Sequence, residues 1–143
     1  MRNVSLFMFA LLCVVSLNLH ADEKAPGIKL WASVLPSEPL FKGDEVKKLN
    51  IHFSIVNDGS DTVATGIGGS RLIINGKPME GSMMMFNNGP ASPLRDHLPP
   101  GQGILFGYGF EWNHEFDKPG LYKLQWKGEH FTSKVVEFRV LPP

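Results

Sequence analysis

Apolar and polar residues alternate along most of the chain. In the clearest stretch Leu49, Ile51, Phe53 and Ile55 are apolar, and the three positions between them are polar. A period of two places the apolar side chains on one face of a β-strand. The same alternation recurs over residues 28–34, 104–112, 122–126 and 136–140. No stretch keeps a period of 3.6 residues over three turns, so the pattern predicts a chain built almost wholly of strands.

Turn-forming residues separate these stretches. Asn75-Gly76 is the favoured pair for a type I′ hairpin turn, and Pro78 places the returning strand at a sheet edge. Shorter apolar pieces at residues 62–65, 71–74 and 83–86 add strands, and residues 87–100 form the longest loop. The 15 Gly and 11 Pro suit short strands joined by many turns. Together these features predict an all-β fold, an antiparallel immunoglobulin-like β-sandwich of seven to eight strands.

The apolar faces of the alternating stretches define the predicted core, because a sandwich buries one face of each sheet. The predicted core comprises Ile51, Phe53, Ile55, Phe106, Tyr108, Phe110, Tyr122, Leu124, Trp126, Val136 and Phe138.

Residues 116–124 resemble the entry to the penultimate strand of immunoglobulin-like and fibronectin-type domains. Pro119-Gly120 followed by Tyr122 is the step that often places a tyrosine-corner hydroxyl against the upstream main chain. The resemblance implies this role for Tyr122. Antibody domains carry Asp where this chain has Lys118, and they carry the second cysteine where it has Leu124.

The wider layout of residues 46–126 is similar to the BsuPI-like proteinase-inhibitor sandwich family. The similarity rests on the strand ending at Val56-Asn57, the turn at residues 98–101, the aromatic strand ending at Trp112 and the step to Tyr122. It implies a non-catalytic binding or inhibitory module. That family is intracellular, whereas the start of this chain predicts export.

The first 21 residues have the pattern of a signal peptide. Arg2 supplies a positive start, residues 4–17 are almost wholly apolar, and Ala21 is a small residue for cleavage. This apolar run is shorter than a membrane span needs, and no second run of that length follows. Cys13 lies inside the apolar run without the small residues of a lipid-attachment motif. We therefore predict a signal peptide over 1–21, a single domain over 22–143 and a periplasmic or extracellular protein.

Charge and cysteine content exclude several kinds of site in the predicted mature chain. Without Arg2 it carries 13 Lys plus Arg against 14 Asp plus Glu, which argues against a nucleic-acid binder. Removal of Cys13, the only cysteine, also removes any disulfide, thiolate metal site or cysteine nucleophile.

Met83, Met84 and Met85, with Met79 nearby, are the most unusual local composition, because thioethers are soft ligands for Cu(I). In a strand Met83 and Met85 share a face that Met84 does not, so one face offers two sulfurs. The mature histidines show no local metal spacing: they are His52, His97, His114 and His130. A copper site is the alternative; the methionines are expected to fill gaps at the sandwich edge.

The remaining candidate chemistry is sparse. Asp58 and Asp61 flank a turn but fall short of the six to eight oxygens that Ca²⁺ takes. No serine lies in a G-x-S-x-G context. Glycines at 103, 107 and 109 leave one strand face bare, to be covered by Trp31 or Trp126 or to serve as a flat platform for a partner.

We accordingly predict no catalytic, cofactor-binding or metal-binding residue and no enzyme activity. The favoured function is an exported, non-catalytic binding or structural module of the cell envelope whose partner is a protein or a cell-surface component. A periplasmic Met/His copper-binding protein and an enzyme of unrecognised class are the alternatives.

Overall fold

A computed structural model describes residues 29–89, 92–111 and 113–143. The predicted signal peptide, Ile28 and Trp112 lie outside the described residues. The strands in chain order are β1 (Leu30–Pro36), β2 (Leu40–Lys42), β3 (Asn50–Asn57), β4 (Val63–Ala64), β5 (Arg71–Ile74), β6 (Lys77–Pro78), β7 (His97–Leu98), β8 (Gly103–Gly109), β9 (Gly120–Lys127) and β10 (Val136–Leu141). Two short helices are α1 (Ser82–Asn87) and α2 (Pro93–Asp96), and 3-10 turns cover Gly43–Lys48 and Ile67–Gly69.

Eight of these strands form two sheets. One has the order β1-β3-β8 and is antiparallel throughout. The other has the order β2-β10-β9-β5-β6, in which only β2 and β10 run parallel. β4 and β7 form a separate two-stranded ribbon. The predicted antiparallel immunoglobulin-like sandwich is confirmed. Strands β2, β4, β6 and β7 are two or three residues long, too short to alternate visibly in the sequence.

The core lies between the sheets and follows the alternation. β3 buries Ile51, Phe53 and Ile55 completely, while its other face carries the exposed His52. Of the predicted core residues, Phe106, Tyr108 and Val136 are half-buried and the others are buried. The Phe53 ring lies 5.0–6.1 Å, centre to centre, from the rings of Phe86, Phe106, Tyr108 and Trp126. Aromatic packing therefore fills the centre of the sandwich.

The turn signals also form as predicted. Asn75 and Gly76 have φ angles of 49° and 81° and join β5 to β6. Both angles lie in the left-handed region that a type I′ turn requires. Pro78 ends β6 at the outer edge of the five-stranded sheet, where no ladder partner needs its missing N–H. Within the described residues, no helix is long and apolar enough to cross a membrane.

The methionine run departs from the prediction. Residues 82–87 form helix α1 and not a strand, and Met83 and Met84 are 47% and 66% exposed. They do not fill the sandwich edge; Met85 packs against the core, and Met79 is buried. Phe86 holds the helix on the core, because its ring is fully buried beside Phe53 and Trp126. A six-residue helix in which a single apolar side chain is fully buried is too short to show a helical period in the sequence.

Candidate functional site

Among the described residues, strand β1 ends the three-stranded sheet and no further strand lies on its outer edge. The N–H of Ser37 donates to the carbonyl of Asn50 over 2.7 Å, and the N–H of Asp58 donates to the carbonyl of Lys29 over 2.9 Å. Because hydrogen-bonded pairs alternate along an antiparallel ladder, odd-numbered residues of β1 bond to β3. The N–H and C=O groups of Ala32 and Val34 therefore face away from β3, and no other main-chain group of the described residues bonds to them.

A groove of about 740 Å³ follows this edge; we call it the β1 groove. One wall is β1 with Ser54 and Val56 from the outer face of β3. The opposite wall runs from Lys127, the last residue of β9, through the connection to Lys134, with Val136 at the start of β10; we call it the loop wall. The groove thus has a main-chain edge on one side and a folded loop on the other.

The loop wall is held rigidly by contacts to the core. The buried ring of Phe131 packs on Trp126 with their centres 4.5 Å apart. The N–H of Gly128 donates to the carbonyl of Phe131 over 3.0 Å. Ser133 exchanges two bonds of 2.8 Å with the Trp126 main chain, one through its N–H and one through its hydroxyl. The groove is therefore formed before any ligand arrives.

The β1 wall presents apolar side chains with fixed orientations. The indole N–H of Trp31 donates to Asp58 Oδ2 over 2.9 Å, which holds the ring on the outer face of β1. The hydroxyls of Ser33 and Ser54 bond to each other over 2.7 Å. Leu35 lies beside them and is 59% exposed. This wall therefore offers apolar surface that the sandwich itself does not bury.

The charged residues of the groove all come from the loop wall. Lys127 and Lys134 bring two positive charges, and Glu129 brings one negative charge. His130 lies next to Glu129, with Nε2 3.8 Å from the carboxylate. The described lining is thus apolar along β1 and carries a basic excess on the opposite side.

The methionine run does not present its sulfurs on one side of helix α1. Successive residues of a helix point about 100° apart, so Met83, Met84 and Met85 diverge on α1. The Met79 sulfur instead accepts a hydrogen bond from Asn113 over 3.8 Å. Among the described residues, no three His, Cys, Asp or Glu side chains gather closely enough to hold a metal ion.

The four histidines of the described residues are spread over the surface. His52 is exposed on β3, His97 is exposed in β7, and His130 belongs to the β1 groove. His114 bonds through Nδ1 to Asp117 Oδ2 over 2.6 Å, at the turn before β9. Each therefore has its own surroundings and is not part of a shared cluster.

The candidate calcium and platform residues have other roles. Asp58 bonds to Trp31, and the carbonyl of Asp61 accepts from Asn57 Nδ2 over 2.7 Å.

The bare glycine face of β8 is not covered by a tryptophan, since Trp126 is buried in the core and β3 separates β1 from β8. Its neighbours come from β3: a Cβ at Gly107 would lie 3.1 Å from His52 Nδ1. Leu105 projects between these glycines and is 73% exposed.

Burial raises the pKa of two tyrosines. Tyr108 donates to the carbonyl of Met85 over 2.9 Å; burial raises its pKa and nearby Arg95 lowers it. Burial also raises the pKa of Tyr122, and the negative charges of Asp117 and Glu115 add to the effect. Both phenols hold main-chain carbonyls in place, which is a structural role and not an acid–base arrangement.

Comparisons with known proteins give a fold neighbour. No protein-family model matches the sequence, and no curated protein matches it. The chain is similar to a solution NMR structure of a CARDB domain from Pyrococcus furiosus, with 12% identity and a TM-score of 0.47. The match covers 79% of this chain and 94% of that chain. The sandwich is defined here by the chain's own sheets and by Tyr122 at its corner.

Sequence reasoning missed the β1 groove. Its residues come from four separate alternating stretches and from the segment between the last two, and nothing in the pattern of residues 28–34 shows that β1 ends the sheet. One signal was present in the sequence. Pro36 is an even-numbered residue of β1, like Ala32 and Val34, so its missing N–H lies on the edge that faces away from β3. A proline at that position is tolerated only where no neighbouring strand needs a donor.

Proposed function

We propose that this chain is an exported, non-catalytic binding module and that the β1 groove is its binding surface. The single observation that carries the proposal is the groove itself: a preformed concavity of about 740 Å³ beside an unpaired sheet edge. Ligand sites are concave and largely formed in advance, whereas an ordinary sandwich surface is convex.

Exposed apolar side chains support the same surface. Trp31, Leu35 and Val56 are each more than two-fifths exposed and all line the groove. Apolar residues clustered around a concavity mark interaction surfaces more often than single exposed ones do. The groove is thus the region where binding would remove the most apolar surface from water.

The polar groups of the groove favour binding over catalysis. Its two sheet hydroxyls, Ser33 and Ser54, bond to each other. Its histidine and carboxylate are neighbours on the loop wall, in the order Glu129-His130. A hydrolytic site needs a nucleophile hydrogen-bonded to a base, and the hydrogen bonds of Ser33 and Ser54 described above join these hydroxyls to each other and not to His130.

Export is part of the proposal and is supported by the sequence. The pattern of residues 1–21 matches a signal peptide, and the predicted mature chain has no cysteine to be oxidised outside the cytoplasm. Periplasm and extracellular space fit equally well. Amino-terminal sequencing of the protein from the cell envelope and the medium tests both the cleavage after Ala21 and the compartment.

The resemblance to BsuPI-like inhibitors suggests one form that binding could take. An exported inhibitor would bind a segment of a protease through the β1 groove and slow the cleavage of that protease's substrates. Assays of serine, cysteine and metalloproteases with the purified protein test this form. Inhibition that Leu35→Glu abolishes would identify the partner as a protease.

Capture from the native envelope fraction tests the binding surface directly. We compare Leu35→Glu with Leu105→Glu, because both leucines are exposed on the outer face of the same sheet but only Leu35 lines the groove. A partner retained by Leu105→Glu and lost by Leu35→Glu would support the groove as its site. A partner retained by both variants, or turnover on a substrate panel with no captured partner, would overturn the proposal.

A further inference from the structure

We propose that the ligand of the β1 groove is an extended segment of a partner polypeptide that adds to β1 as a further strand. The inference rests on the proposed function and names the class of ligand. The groove supplies main-chain donors and acceptors in a row, which only another strand can satisfy along its length.

The spacing of the free groups defines the added strand. Leu30, Ala32 and Val34 lie in the alternate positions whose main chain faces the groove. Pro36 ends the row because it has no N–H to donate. From Leu30 to Val34 the edge accommodates about five residues of an extended peptide, roughly 17 Å long.

The two walls set the side chains that such a strand would carry. Successive residues of a strand point to opposite faces, so one set faces the loop wall and Val136, and the other faces Trp31 and Leu35. Apolar or β-branched residues fit both directions. Lys127 on the loop wall favours an acidic residue in or beside the segment.

The chain's own amino-terminal segment is an outcome of the test. Binding of the selected peptides only after residues 22–27 are removed would show that this segment occupies the edge, and would overturn the commitment to a partner polypeptide. A second copy is disfavoured because it would bring its own Lys127 to the same edge.

Peptide selection tests the ligand class. A displayed library of random ten-residue peptides is selected on the purified exported protein, and enriched sequences are synthesised and titrated. We expect alternating β-branched or aromatic residues with acidic neighbours. Failure to enrich any peptide, or enrichment of sequences without this alternation, would overturn the inference.

Ala32→Pro tests the edge itself. The substitution removes a donor that faces the groove and leaves the bonds to β3, so circular dichroism and the melting temperature should show a folded protein. Peptide affinity should fall about tenfold or more, while Leu105→Glu should leave it unchanged. Unchanged affinity in Ala32→Pro would overturn strand addition.

N-methylated peptides give a second test that does not depend on the variant's folding. Two isomers carry N-methyl groups on alternate amides, one on each edge of the extended peptide. Only one edge can pair with β1, so one isomer should lose affinity and the other should keep it. Equal binding of both, combined with loss of binding in Leu35→Glu, would leave the groove as the binding surface and refute strand addition. If Leu35→Glu also leaves peptide binding unchanged, both the groove as the binding surface and strand addition are refuted.

Self-association is a separate outcome of the same experiments. Sedimentation of the purified protein should show a monomer both with and without the selected peptides. A dimer that Ala32→Pro converts to a monomer would show that a second copy occupies the edge, and would overturn the commitment to a partner polypeptide.

Discussion

The side-chain amide of Asn57 donates a hydrogen bond of 2.8 Å to the carbonyl oxygen of Leu98, and so ties the end of β3 to β7. Asn57 is completely buried, and its Nδ2 also donates to the carbonyl of Asp61. Its Oδ1 accepts from the N–H of Gly59 over 2.9 Å. One side chain therefore bonds to three main-chain groups, the carbonyls of Asp61 and Leu98 and the N–H of Gly59, and joins the end of β3 to two neighbouring segments.

Replacing this amide should destabilise the fold. Asn57→Ala removes three hydrogen bonds made by one completely buried side chain, so we expect a loss of about 1–3 kcal/mol in the free energy of unfolding. Urea unfolding followed by tryptophan fluorescence measures the change. Asn88→Ala is the matched control, because Asn88 is exposed after α1. Equal stability of the two variants would contradict the role of Asn57.

The tyrosine corner gives a second stability prediction. The hydroxyl of Tyr122 donates to the carbonyl of Lys118 over 2.7 Å, the arrangement that the resemblance implied. Tyr122→Phe keeps the buried ring and removes this bond, so we expect a loss of about 0.5–1.5 kcal/mol near pH 7. Chemical denaturation measures it. A variant as stable as the parent would show that the bond contributes nothing net.

The pH dependence of Tyr122→Phe is an independent check. Burial raises the pKa of Tyr122 in the folded state above the value near 10 of an unfolded tyrosine. The stabilisation from the neutral phenol is fully present below pH 10 and is lost as the pH rises toward the folded-state pKa. The parent should therefore lose more stability above pH 10 than the phenylalanine variant, which cannot ionise there.

The sequence predicted the long strands because their burial follows local alternation. Phe53 and Tyr122 could be placed from their neighbours alone, since a two-residue period and a Pro-Gly step are local signals. Asn57 looked like an ordinary turn residue, and its burial depends on Leu98, 41 positions away. Met84 had strand-like neighbours, yet Phe86 anchors a helix on the aromatic centre. Such long-range packing is not encoded in local periodicity.

The β1 groove was hidden for the same reason. Whether a strand is central or at an edge depends on sheet order, and within the described part of the chain β1 pairs with β3 alone. The loop wall takes its position from Phe131, which lies in the connection after β9 and packs on Trp126 within that strand. Binding surfaces made by neighbouring elements therefore appear only once the sheets are assembled.

Phe53 should be the most costly aromatic side chain to remove from the three-stranded sheet. It is completely buried among four other rings, so Phe53→Ala removes transfer energy and leaves a cavity. We expect a loss of about 3–5 kcal/mol. Phe106→Ala is the matched control, because Phe106 is half-buried on β8 and should cost less. Equal costs in thermal and urea unfolding would contradict the described packing.

Methionine oxidation tests the position of helix α1. Met83 and Met84 are exposed, whereas Met79 is 7% exposed and its sulfur contacts Asn113. Dilute peroxide should therefore oxidise Met83 and Met84 before Met79, as followed by peptide mass spectrometry. The unfolded protein in urea provides the control, since all its methionines should react alike. Slower oxidation of Met84 than of Met79 in the folded protein would contradict the helix.

Copper titration examines the same residues. Because Met83, Met84 and Met85 diverge on α1, we expect no tight one-to-one Cu(I) complex under reducing conditions. Met83→Ala and Met85→Ala should leave any residual copper binding unchanged. Tight stoichiometric binding that either substitution abolishes would contradict this expectation and revive a copper-carrying function.

Gly128 should control the loop wall of the β1 groove. A Cβ at this position would lie 2.4 Å from the Phe131 ring, which is buried against Trp126 and cannot yield cheaply. Gly128→Ala should therefore cost about 1–3 kcal/mol in the free energy of unfolding and shift the wall. Peptides selected on the parent protein should bind the variant more weakly, because their apolar side chains lose a fixed surface. Gly69→Ala is the matched control, since no atom lies within 4 Å of a Cβ there. If Gly128→Ala keeps both the stability and the peptide affinity of the parent, the loop wall is not the rigid surface that the Phe131 contacts indicate.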